Sequence, residues 1–221
     1  MKTIKRIAVL LLLAVLLVPS LSSCRKKTSA VKPGTYCRLN DKSQTGMASG
    51  WDWFTITLNE DGTFSYFETS ISSHIGMGNY TYENGIVTLV EESPRLGETV
   101  TEYHRFRYDG EKLIFLASRS DDFTYAHPTE GAEFDLCYRI SYEGNTNDLF
   151  FSLEYPTTYW AKPGDAVEVR TEILCDADIV VEADGVPVEK SHYDSDYWGY
   201  SFIMPDHNVV VTLRAVSGWK S

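Results

Sequence analysis

The sequence lacks the short signatures that announce most catalytic and cofactor chemistry. Its four cysteines, Cys24, Cys37, Cys137 and Cys175, form no C-x-x-C, so neither a zinc site nor a dithiol redox centre has a framework. The five histidines, His74, His104, His127, His192 and His207, are isolated from one another, with no H-x-H or H-E-x-x-H spacing to fix a metal. No G-x-S-x-G elbow and no P-loop occurs. No cofactor, no metal and no enzymatic activity is expected. Cations are scarce as well: 20 Lys and Arg face 31 Asp and Glu, for a net charge of −11. A nucleic-acid partner needs a basic footprint and is excluded on that balance. A sustained helical period is missing throughout.

Long apolar runs are also wanting. The longest, residues 7–18, would rise only about 18 Å as a helix, against a bilayer core of ~30 Å. Lys2, Lys5 and Arg6 precede it, and Pro19 with small residues follows, which is the plan of an export signal. The stretch Leu21-Ser22-Ser23-Cys24 resembles the lipobox of bacterial lipoproteins. That resemblance implies cleavage of residues 1–23, a diacylglycerol on the Cys24 thiol, and attachment to a membrane through it. Arg25 follows the cysteine where an aspartate would favour inner-membrane retention in Gram-negative cells. The expected location is the bacterial cell surface or outer membrane. Residues 24–33 read as a basic tether, and Arg25, Lys26, Lys27 and Lys32 would meet anionic headgroups at roughly 1 kcal/mol each. Beyond residue 23 the chain keeps 17 cations against 31 acids, a net −14. Cys37, Cys137 and Cys175 then lie in a compartment that permits disulfides.

What the chain has is aromatic residues, 13% with 14 Tyr, and turns, and both favour strands. Alternation predicts strands at 34–40, 51–58, 63–69, 78–83, 86–91, 102–108, 112–117 and 132–138. Asn59-Glu60-Asp61-Gly62, Asn84-Gly85 and Asp109-Gly110 mark hairpins between them. Eight hairpin-joined strands over residues 34–140 predict an up-and-down barrel or a rolled meander. One face reads Phe54, Ile56, Leu58, Phe64, Tyr66, Tyr80, Tyr82, Val87, Leu89, Phe106, Tyr108, Leu113, Phe115, Phe134 and Leu136. So bulky a face predicts a filled interior. A polar linker is expected over 141–148. A second unit, 149–216, reads as strands 149–155, 166–173, 178–183, 186–190, 198–204 and 208–216, a small antiparallel sandwich, with 217–221 a tail.

Two further resemblances sit on these units. "AKPGDAVEVR", "VEADGVPVEK" and "YSFIMPDHNVVVTLRA", across about residues 159–216, resemble a bacterial surface repeat that closes in F-x-M-P-D-H. The resemblance implies an extracellular spacer or adhesion-associated module without catalysis, with His207 serving turn structure. "DGTFSYFETSISSHIGMGNYTYENGIVTL", with "FRYDGEKLIFL" and "SDDFTY", resembles a lipocalin-like β unit of exported Gram-positive proteins. Gly34-Thr35-Tyr36 stands where true lipocalins have Gly-x-Trp.

Candidate site residues are few. Closing a meander brings its first and last strands together, which makes Cys37 and Cys137 a candidate disulfide. Parity opposes it, since Cys37 alternates with Leu39 while Cys137 alternates with Asp135 and Glu133. Trp51 and Trp53 share one face of a strand and are candidates for contact with a glycan or a partner protein. Asp194 and Asp196 in "HYDSDYWG" resemble the start of a calcium loop but lack its later glutamate. Glu91-Glu92 and Asp121-Asp122 read as solvated loop charges. The expectation is a non-catalytic, lipid-anchored envelope protein acting in binding, adhesion or display. The alternatives are a carrier of a small apolar ligand in the first unit, or an envelope hydrolase built on scattered carboxylates.

Overall fold

Alternation of apolar and polar residues between glycine-bearing turns builds an almost entirely β chain. The computed structural model describes residues 30–39, 53–68, 73–95, 98–144, 151–153, 159–173, 178–193 and 197–216. The chain divides into Met1–Ala30 and Val31–Ser221, and every described strand belongs to the second unit.

Eight strands come first: β1 (Gly34–Leu39), β2 (Trp53–Leu58), β3 (Thr63–Phe67), β4 (Ile75–Glu83), β5 (Ile86–Arg95), β6 (Glu98–Tyr108), β7 (Lys112–Phe115) and β8 (Glu133–Gly144). Each pairs antiparallel with the next, and β1 pairs also with β8, so the eight close into an up-and-down barrel. Turn chemistry sets the registers. Asn84 and Gly85 both take positive φ, 52° and 81°, the hairpin turn whose twist matches its flanking strands. Asp61 and Asp109 brace their turns by accepting from the backbone N–H of Thr63 (2.9 Å) and Lys112 (2.8 Å).

The interior face is the predicted one, and bulky side chains from all eight strands fill it. Tyr36, Phe54, Ile56, Leu58, Phe64, Tyr66, Val87, Leu89, Phe106, Tyr108, Leu113, Phe115 and Phe134 are buried, with Tyr80, Tyr82 and Leu136 packed against them. Aromatic edges meet faces across the barrel, as between Phe54 and Phe134 (5.0 Å, 85°) and between Phe106 and Phe134 (5.6 Å, 89°). Truncating one of these buried phenylalanines to alanine costs about 3–5 kcal/mol.

Strand β4 begins at Ile75, three residues before the expected start, for a steric reason. Phe64 and Tyr66 on β3 lay nearly parallel rings, 8° apart, across Gly78 and Gly76, their register partners. A Cβ on Gly76 would lie 2.0 Å from Tyr66 Cζ, and one on Gly78 2.1 Å from the Val90 carbonyl oxygen. Glycine weakens strand propensity, which hides this part of the strand from a propensity reading. Only glycine leaves room for the rings.

The stretch from residue 141, expected as a linker, opens as strand. β8 continues through Ser141 to Gly144, so the closing strand of the barrel runs unbroken into the second sheet pair. Residues 135–137 pair with β1; Tyr138 and Arg139 pair with β10 (Trp160–Ala161); Ile140–Gly144 pair in parallel with β15 (Val209–Val216). The two-residue β10 has no strand expectation in the sequence. β15 pairs in turn with β12 (Asp178–Ala183). Facing them is a sheet in the order β13 (Glu189–Tyr193), β14 (Tyr197–Ile203), β11 (Ala166–Ile173) and β9 (Phe151–Leu153). Val167, Val169, Tyr200 and Phe202 bury against Ile140, Val181, Val209, Val211 and Leu213, which makes a small sandwich. Two of its turns touch one another: Gly164 N–H donates to the Met204 carbonyl (2.8 Å), and Met204 N–H to that of Asp165 (2.9 Å).

Candidate functional site at the barrel mouth

Towards one end of the barrel the interior face changes from aromatic to polar. Two residues beyond Tyr66 on β3 comes Glu68, and two before Gly76 on β4 comes His74. On β5, Leu89 leads to Glu91 and Ser93; on β6, Phe106 is preceded by His104 and Glu102. The registers bring these to one end, with Tyr66 opposite Gly76, Leu89 opposite His104, and Glu91 opposite Glu102.

The connection between β7 and β8, residues 116–132, folds over this mouth. Ser120 Oγ accepts from Arg105 N–H (2.8 Å), and Asp121 Oδ2 accepts from Tyr103 N–H (2.7 Å), fastening the connection to β6. Phe123 then drops inward, 3% exposed. Its ring stacks on His104 (3.9 Å, 10°) and stands edge-on to Phe54 (4.7 Å) and Tyr66 (5.1 Å). The next three backbone N–H groups, of Thr124, Tyr125 and Ala126, donate to the Glu68 carboxylate at 3.2, 2.6 and 2.7 Å. Glu68 is buried, and three charge-assisted bonds are what offset the cost of burying a carboxylate.

A second polar group lies beneath. His104 Nδ1 is 3.1 Å from the Asp121 carbonyl oxygen, which only accepts, so Nδ1 carries the proton. Nε2 meets no partner among the described residues. Burial holds His104 below the ordinary imidazole range, outweighing the opposing pull of the Asp121 carbonyl and of Glu91. Tyr66 donates its hydroxyl to Glu91 Oε2 (2.5 Å). Burial first, and the bond to Glu91 second, push the phenol of Tyr66 well up. His74 Nε2 stands 3.9 Å from Glu91 Oε1.

Outside Phe123 lies an open cleft of about 680 Å³. The β5–β6 hairpin supplies one wall through Ser93, Pro94 and residues 100–102, residues 121–124 supply the other, and His74 closes one side. Glu102, Asp121 and Asp122 bring carboxylates, Thr101 brings a hydroxyl, and Phe123 and Pro94 give apolar surface. The arrangement suits a polar, hydrogen-bonding ligand with some apolar surface. No cluster of three or more His, Cys, Asp or Glu able to hold a metal occurs among the described residues.

The sequence sets the histidines apart and reads Glu91-Glu92 and Asp121-Asp122 as solvated charges, and of these Glu91 needs correction. His74 and His104 each pack on the ring of Tyr66, at 6.2 and 5.6 Å. Glu91 is a buried strand residue rather than a loop charge, whereas Asp121 is exposed as expected while its carboxylate accepts from Tyr103 N–H. Glu92 and Asp122 are exposed as expected. Parity held the signal, because Glu91 continues the Val87, Leu89 face and His104 continues that of Phe106 and Tyr108.

Other candidates fall elsewhere. Cys37 and Cys137 are buried free thiols, and the parity objection fails because Tyr36 is the inward residue of β1. Cys37 therefore shares the outer face with Cys137. Trp53 opens β2 opposite Leu39 in the backbone register. The Trp53 side chain, Trp51, Cys24, Cys175, Asp194 and Asp196 lie outside the described residues. The chain matches no protein-family model, no curated protein and no solved structure.

Proposed function

We propose that this chain is a non-catalytic, lipid-anchored protein of the bacterial cell envelope whose barrel mouth binds an envelope ligand. In this reading Cys24 carries the diacylglycerol, the basic tether lies on the headgroups, and the sandwich acts as a spacer or interaction module. The observation that carries the binding role is the open polar cleft above an interior already filled by aromatic side chains. A carrier of apolar cargo needs an enclosed apolar space, and here Phe54, Phe64, Tyr66, Phe106, Phe123 and Phe134 occupy that position.

A second reading, an envelope hydrolase, draws support from the same cleft. Glu102, Asp121 and His74 line it, and Glu91, buried against Tyr66, stands opposite Glu102 in the β5–β6 register. Acid–base work needs such convergent groups. Two experiments test the proposal. Labelled palmitate should enter the wild type and not Cys24→Ser, which should leave the membrane fraction; equal labelling removes the anchor. Thr101→Trp, filling the cleft from its exposed wall, should abolish ligand retention; undiminished retention removes the mouth as the site.

A further inference from the structure

The seam that closes the barrel carries two thiols. On β1 the inward residue is Tyr36, and on β8 Phe134 and Leu136 face inward, so Cys37 and Cys137 both fall on the outer face. Register sets Thr35 opposite Cys137 and Cys37 opposite Asp135, which makes the cysteines diagonal neighbours across one strand pair. The Cys137 thiol lies near enough to Cys37 to bear on its titration. Although they lie on the outer face they are only 1% and 2% exposed.

We propose that Cys37 and Cys137 form a disulfide site that an oxidant can reach only before β1 zips onto β8, so the state of the pair is decided during folding and then sealed. The chemistry is thiol–disulfide exchange with a disulfide donor, either glutathione disulfide or a disulfide-donating oxidase. One cysteine thiolate attacks the donor disulfide and releases one donor thiolate. The second cysteine, as thiolate, then displaces the other donor sulfur and closes the bridge. Two electrons pass to the donor, and the two cysteine protons end on its two thiols.

Each step needs a thiolate and room for an incoming disulfide, and the folded seam denies both. Burial pushes the Cys37 thiol far up, and the neighbouring Cys137 thiol adds to it. In the unfolded chain neither effect operates. The two cysteines are 100 residues apart, on the first and last strands of the barrel. Closure of the seam therefore comes only when the whole meander is in place, and the thiols stay open until then. Diagonal neighbours ordinarily stand about 7–8 Å apart at Cα, while a disulfide holds its Cα atoms at about 4.4–6.8 Å. The bridge therefore draws β1 and β8 together locally by about an ångström.

The test is independent of the anchor. The full chain carrying Cys24→Ser and Cys175→Ser, held in detergent, keeps only these two thiols. Folded in reductant and then given glutathione disulfide, it should react about a thousandfold or more slowly than in urea, because reaction must wait for unfolding. Refolded from urea in glutathione disulfide, it should yield a bridged Cys37–Cys137 peptide by mass spectrometry and unfold at a higher urea midpoint. Cys37→Ala and Cys137→Ala, refolded in reductant, should keep the native circular dichroism spectrum and never give the bridge. Similar rates for native and unfolded protein overturn the sealing. Two free thiols after oxidative refolding overturn the site.

Discussion

Replacing Glu68 by glutamine tests how the mouth is held shut. Three backbone N–H groups converge on this carboxylate, Thr124 on Oε1 and Tyr125 and Ala126 on Oε2. Glutamine is nearly isosteric, so packing is preserved and only bonding changes. With its amide oxygen in the Oε2 place it keeps two bonds, now neutral and each weaker by about 1 kcal/mol. Its NH₂ group then faces the Thr124 N–H, donor against donor, which loses a charge-assisted bond worth roughly 1.5–3 kcal/mol. The sum is about 3.5–5 kcal/mol, a large share of a domain's ordinary stability. Urea denaturation followed by near-UV circular dichroism reads the aromatic packing around Phe123 directly. A Glu68→Gln midpoint within about 0.5 kcal/mol of wild type would refute the latch, since surface changes ordinarily fall in that range.

Two more outcomes rest on the packing and on the buried imidazole. Gly76→Ala, whose Cβ would meet the Tyr66 ring at 2.0 Å, should lose about 1–3 kcal/mol in the same assay, as overpacked cores do. The ring is wedged by Phe54 and Phe123 and tied to Glu91, so it has no ready escape. Burial holds His104 below the ordinary imidazole value of 6.5 in the folded state, so the unfolded chain binds more protons at mildly acid pH. Its contribution to stability is present above about pH 6.5 and is lost as pH falls below that value, with a slope of at most about 1.4 kcal/mol per unit. His104→Phe should flatten that window in pH-dependent denaturation.

Much of the fold was legible because strand parity and turn chemistry are local. Phe54, Ile56 and Leu58 alternate in view, and Asn84-Gly85 places its hairpin and Asp184-Gly185 its tight turn without reference to the rest of the chain. The second turn closes on the single Ala183–Val186 bridge, and its flanking strands, β12 and β13, go to different sheets rather than forming a hairpin. Both of those turns show the paired positive φ that the dipeptide supplies, 52° and 81° in one and 38° and 79° in the other. The start of β4 was hidden because Gly76 is there for the Tyr66 ring and Gly78 for the Val90 carbonyl, both on other strands. The run of β8 past Ile140 was hidden because Ser141, Glu143 and Gly144 look like a linker until β15 arrives to pair with them. The mouth was the least legible part. Glu68 is bonded to residues 56 to 58 positions away, and Phe123 reaches its socket only after the barrel closes. His104 and Glu91 fall inside the expected strands and could have been picked out by extending the interior parity two residues, but an acid or a histidine on that face carries no apolar signal of burial.

The central claim is that the barrel mouth binds an envelope component without transforming it. The direct measurement is native mass spectrometry of detergent-solubilised wild type and Thr101→Trp after incubation with fractionated peptide and glycan fragments of cell envelopes. The account predicts a fragment retained by the wild type, released at its starting mass, and lost from Thr101→Trp. A fragment that comes off shortened in the wild type but intact in Glu91→Gln would contradict the non-catalytic claim. Equal retention by wild type and Thr101→Trp would contradict the mouth itself.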